Sequence, residues 1–141
     1  MESITELTAV IQQEADIAES LETLLKEKQH AFIYWKPEEL DLVIKEEEMI
    51  LHRIAELEKK RVMLVSQFSE KGEEKKLSMI ADEFDADELR IQAQRLRVAS
   101  ERVMKKNNQN KQLLQSSLSF VRHTLVILTN NFQRQLIDQK A

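Results

Sequence analysis

Apolar residues recur along this chain at alternating three- and four-residue steps, the spacing that gathers them on one side of an α-helix. Ile4, Leu7, Ile11, Ala18, Leu21, Leu25 and Phe32 form a first stripe, with Glu14 and Lys28 standing at stripe positions. The pattern resumes at Leu40, Val43, Ile50, Ile54, Leu57, Leu64 and Phe68, where Glu47 and Arg61 are the polar interruptions. Between the two stripes, Pro37 follows Trp35 and Lys36 and precedes Glu38 and Glu39. That is the chemistry of a helix first turn, with proline at N1 and carboxylates near the positive end of the dipole. The residue before a proline resists the helical region, so Lys36 marks a kink or a short break, the kink being favoured. With little change of direction there, residues 3–68 would make one kinked rod of roughly 100 Å at 1.5 Å per residue.

Start and stop signals divide the rest. Ser3-x-x-Glu6 is a capping box that opens the first helix. Residues 69–76 form a polar stretch holding the only glycine, Gly72, where the chain should turn back. Leu77, Met79, Ile80 and Phe84 suffice for a short helix within a connecting segment 69–84 that covers the open end. A second capping box, Asp85-x-x-Glu88, opens a last helix over 86–138 that passes through Leu89, Leu96, Ala99 and Val103. An antiparallel return would set the basic residues 90–111 beside the second half of the rod, and the apolar residues 113–137 beside residues 4–35.

The second half of that last helix is too apolar for one buried face. Leu114, Leu118, Val121, Leu125, Leu128, Phe132 and Leu136 form one stripe, and Leu113, Phe120 and Ile127, spaced by seven, form another beside it. A helix of a small soluble protein normally buries one stripe and wets the rest. The surplus calls for a further surface, either a second copy of the chain or a foreign helix. Asn107, Asn108 and Asn110 precede it. A buried asparagine on such a seam selects one register at a cost in stability, whereas a solvated one does neither.

Composition supports an all-helical reading. One glycine and one proline in 141 residues leave little punctuation for hairpins. The fold class implied is all-α: an elongated antiparallel hairpin or bundle of long helices with a short connecting helix, in a single domain over 1–141. The lack of cysteine excludes a disulfide scaffold and thiolate metal sites and fits a reducing cytoplasm. No apolar run approaches a membrane span, and no signal-peptide pattern opens the chain, so a soluble, unprocessed protein is expected.

The formal charge of −4 hides an asymmetry: residues 1–60 carry 15 acidic against 7 basic side chains, and residues 89–141 carry 2 against 10. An acidic helix lying along the basic half would neutralise it, and no aromatic platform is interleaved with the basic residues, so nucleic acid is not an expected partner. Catalytic chemistry is sparse. His30, His52 and His123 are far apart, and Glu27-x-x-His30, the spacing of a carboxylate-bridged metal helix, occurs once where such a centre needs two. Glu46-Glu47-Glu48 reads as a solvated face, and Met49, Met63, Met79 and Met104 read as gap fillers. Neither a cofactor, a metal site nor an enzymatic activity is expected.

In combination, these patterns resemble a known family. Leu24-Leu25-Lys26-Glu27 with Ala31, then Leu40 and Lys45, then Leu51, Ile54, Leu57 and Arg61, is similar to the first-helix signature of the FlgN family of flagellar export chaperones. Asn107-x-x-Asn110-x-x-Leu113-Leu114-x-x-Ser117-Leu118, followed by Val121 and Leu125, resembles that family's most recognisable segment. The resemblance implies a cytoplasmic type III secretion chaperone. Such a protein holds the helical C-terminal regions of hook-associated proteins 1 and 3 and delivers them to the export gate and its ATPase complex, peripheral at most to the membrane. It further implies client contacts toward the C-terminal helix, which here means Leu114, Leu118, Phe120, Val121, Leu125, Ile127, Leu128, Phe132 and Leu136, with Asn107, Asn110, Leu113 and Ser117 as motif and register positions. The alternative from the residues alone is a homo-oligomeric coiled-coil protein, and a homodimer is compatible with either reading.

Overall fold

The computed structural model describes residues 2–69 and 75–140, with side chains described as far as residue 135. Four helices follow one another: α1 Glu2–Ile33, α2 Pro37–Ser66, α3 Leu77–Glu83 and α4 Asp87–Lys140. No strand occurs among the described residues. The chain divides into two compact units, Met1–Asn107 and Asn108–Ala141. The first is a helical bundle, and the second is the C-terminal part of α4.

The rod expected over 3–68 is instead a helical hairpin. At the end of α1 the Lys36 amide donates to the Ala31 carbonyl (3.0 Å), and Trp35 takes φ 53°. A left-handed residue closed by this six-to-one bond is the ending that glycine usually provides. It swings the chain out of the α1 axis before Pro37 starts α2. Two ion pairs then fix the antiparallel register: Lys28 with Glu47 (2.8 Å) and Glu14 with Arg61 (3.4 Å). The four residues that interrupted the two apolar stripes are thus each other's partners. Pro37 permits a kink or a reversal equally well; the reversal wins because it stacks the stripes and pairs these charges.

The part of α4 within the first unit runs parallel to α1. Arg95 donates to Asp16 (2.8 Å) and Glu19 (2.9 Å), and Lys106 to Gln29 (3.2 Å), a near-constant offset along both helices. Arg95 and Lys106 of α4 therefore lie beside α1, not beside the second half of a rod. The reason follows from the hairpin: α2 ends near the start of α1, and the return begins from there.

α1 is the central helix. Its buried set includes Leu7, Ile11, Ala18, Leu21 and Leu25 from the expected stripe, and also Val10, Ala15, Leu24 and Ala31 on an adjoining face. α2 buries only Val43 and Leu57. One core cluster gathers Leu7 and Ile11 of α1, Ile80 and Ala81 of α3, and Leu89 of α4, with Leu64, Val65 and Phe68 packed against it. α3 thereby closes the end of the bundle, and Phe68 and Phe84 meet edge to face at 5.4 Å.

Both capping boxes are displaced. α1 begins at Glu2, which puts Ser3 inside the first turn. Asp85, expected as the N-cap of the last helix, has φ 49° and ends α3: the Ala86 amide donates to Ala81 (2.9 Å) and the Asp85 amide to Asp82 (3.3 Å), a complete Schellman pair. α4 starts two residues later, at Asp87. Gly72, expected at the turn, lies outside the described residues.

Candidate helix-docking surface

Up to Leu113, α4 keeps a buried or half-buried seam through Leu89, Leu96, Ala99, Val103, Lys106, Asn110 and Leu113. Asn110 is 3% exposed, while Asn107, Asn108 and Ser117 are exposed. The asparagine motif therefore divides: one member sits on the seam and the others face solvent. From Leu114 to Gln135 every residue is exposed apart from the half-buried Thr124.

That exposed stretch carries the first of the two stripes intact. Leu114, Leu118, Val121, Leu125, Leu128 and Phe132 follow one another at four-three-four-three-four spacing and are all between 42% and 62% exposed. On a helix such residues form a continuous ridge, the geometry that inserts into a facing helix. Ile127 and Phe120 lie on the neighbouring face, Phe120 being 71% exposed, and Val126 adds a third apolar position. The side chain of Leu136 falls outside the described residues. The residues expected to be sheltered beside 4–35 are therefore open to solvent. Exposed apolar area of this extent is characteristic of interaction surfaces in general. Its charge has one sign: residues 108–135 hold Lys111, Arg122 and Arg134 and no acidic residue.

The first unit holds what the sequence reading did not anticipate, a groove of about 350 Å³ between α1, α2 and α4. Ala18 and Leu21 lie at its base, with Leu51 and Ile54 on the α2 side and Leu96 and Met104 on the α4 side. Glu14 also lines it. This carboxylate is 6% exposed, and burial raises its pKa above the ordinary value although Arg61 opposes the shift. One carboxylate oxygen faces Arg61, and the other, Oε1, is buried without a hydrogen-bond partner. The available signal was partial: Ile54 and Leu96 lie on the predicted apolar positions, while Leu51 and Met104 fall outside them.

Glu27 and His30 line a separate shallow hollow with Lys26, Glu39, Leu42 and Val43. The His30 ring packs on Tyr34 at 4.5 Å. Among the described residues no three metal-ligating side chains come together, and no helix is long and apolar enough to cross a membrane.

Comparison with known proteins gives one match: a family model described as FlgN protein matches residues 1–137. No curated protein and no solved structure matches the chain.

Proposed function

Because this chain belongs to the FlgN family, a family of flagellar export chaperones, we propose that it is a cytoplasmic chaperone for the hook–filament junction subunits. In this reading it binds the helical C-terminal regions of hook-associated proteins 1 and 3 and carries them to the export gate and its ATPase complex. The observation that carries the reading is the uninterrupted apolar ridge from Leu114 to Phe132, exposed along its whole length.

An amphipathic client helix lays its apolar face along that ridge, the helix-in-groove mode of recognition. Phe120 and Ile127 widen the contact, so the client covers two faces of α4. Covering about 600 Å² of apolar surface at about 25 cal/mol per Å² supplies on the order of 15 kcal/mol before losses. Lost translational freedom and side-chain ordering remove much of it, which leaves micromolar to nanomolar affinity. The contact needs no nucleotide or metal, and release comes from competition at the gate. While held, the client helix is kept from assembling prematurely.

The test is co-elution. Full-length chain mixed with the C-terminal region of a hook-associated protein elutes as a stoichiometric complex, and Leu125→Glu abolishes the complex without loss of helicity by circular dichroism. Failure of the unmodified chain to co-elute at tens of micromolar would overturn the proposal.

A further inference from the structure

The turn between α1 and α2 carries aromatic and apolar surface that the fold does not use. Tyr34 and Trp35 are 62% and 76% exposed, and Ile33 beside them and Leu42 on α2 are exposed as well. Trp35 holds its left-handed φ of 53° while its ring packs on little of the chain. Glycine would make the same turn at lower cost, so the fold gains nothing from an indole there. Backbone strain of this kind clusters at binding and switch positions. Tryptophan and tyrosine are also among the side chains that most often anchor protein interfaces.

The hollow next to this turn, about 480 Å³, is lined by residues of α1 and α2 alone. Val43 is buried there and Leu42 exposed, and His30, whose ring packs on Tyr34, joins the hollow to the aromatic pair. Glu27 lines it from α1 and Glu46 from α2. The charge around it is acidic and unanswered. Each of the four lysines between residues 26 and 49 already meets a carboxylate: Lys26 that of Glu22, Lys28 that of Glu47, Lys36 that of Glu39 and Lys45 that of Asp41. Among the described residues, Glu27, Glu38, Glu46 and Glu48 enter no ion pair. All of these residues belong to the first unit.

We propose that this surface docks a basic amphipathic segment of another protein, one in which arginine or lysine stands between apolar side chains. The cation enters the hollow between Glu27 and Glu46 while its methylene stem lies along Leu42. Apolar neighbours in the partner cover Tyr34, and a further cation stacks on the Trp35 ring. Arginine suits the hollow better than lysine, because its planar fork serves a carboxylate on either side. A membrane is the poorer occupant: tryptophan and tyrosine favour bilayer interfaces, but an anionic leaflet repels the free carboxylates. None of these residues belongs to the α4 ridge, so this is a second binding function beside client capture.

The chain has a single tryptophan, so Trp35 emission reports on this surface alone. The probe is a synthetic tryptophan-free helical peptide with leucine and arginine at three- and four-residue spacing, titrated into the full-length chain. A saturating blue shift of Trp35 emission is expected, and none with the same peptide carrying glutamate in place of arginine. Glu27→Gln combined with Glu46→Gln, both at exposed positions, weakens the dissociation constant at least about tenfold, whereas Leu125→Glu leaves it unchanged. Trp35→Gly relieves the strained turn and so keeps the fold. Placed in the Leu125→Glu background, it weakens binding of the fluorescein-labelled peptide, read by anisotropy. Unchanged Trp35 emission, an equal response to the glutamate peptide, or an affinity indifferent to the glutamine or glycine substitutions overturns the inference. Loss of the response in Leu125→Glu overturns it too, by placing the peptide on the ridge. A Trp35 shift with phosphatidylglycerol vesicles and none with the arginine peptide assigns the surface to lipid and overturns it likewise.

Discussion

Glu14 is the residue at which packing and charge compete most directly. Its carboxylate is buried among apolar side chains, and desolvation raises its pKa against the pull of Arg61. The folded state therefore holds this proton more tightly than the unfolded chain does. Its contribution to stability is full below the unfolded value near 4.5 and is lost as pH rises through the higher folded value. Urea midpoints for the unmodified chain and Glu14→Gln should accordingly diverge with pH, the glutamine form gaining relative stability as pH rises above the unfolded value near 4.5. A pH-independent difference would contradict this account. Trp35 is the second residue under tension. It holds φ 53° with its side chain 76% exposed, so it bears the cost of a left-handed conformation with little packing in return. Trp35→Gly should raise stability by about 0.5–1 kcal/mol in denaturant unfolding.

At the scale of elements, the helices and their buried faces were legible, and the path between the first two was not. Periodicity identified the stripes of α1 and α2 down to their polar interruptions. The hairpin was also encoded: Glu14 and Lys28 stand as far from the turn as Arg61 and Glu47 do on the other side, with opposite charge at each level. Read as mutual partners, these residues imply a reversal near Trp35. The turn itself was obscured because a tryptophan, not a glycine or asparagine, occupies the left-handed position. Asp85 misled in a related way, since an aspartate suits both an N-cap and a left-handed C-terminal position. The pairing predicts a specific mutational pattern. Arg61→Glu should destabilise the chain by about 3 kcal/mol, because it leaves Glu14 facing a second carboxylate in a largely dry site. Adding Glu14→Arg should recover most of that loss in thermal unfolding, and failure of the double variant to recover would mean the two residues do not set the register.

Across the first unit, the acidic α1 and the basic first part of α4 are brought together within the bundle, where Arg95 meets Asp16 and Glu19. Exposed pairs of this kind contribute roughly 0–1 kcal/mol each, so their larger effect is on the direction in which α4 runs. The candidate surface was legible because an apolar ridge needs no tertiary information to be seen: its residues lie on one helix. The groove was not, because its walls come from three helices whose order depends on the hairpin. Amide hydrogen exchange on the full-length chain, with and without the C-terminal region of a hook-associated protein, tests the central claim most directly. Protection that rises across residues 114–132 when the client is added is the predicted result. Protection confined to residues 2–107, with the ridge exchanging as fast in the mixture as alone, would contradict it.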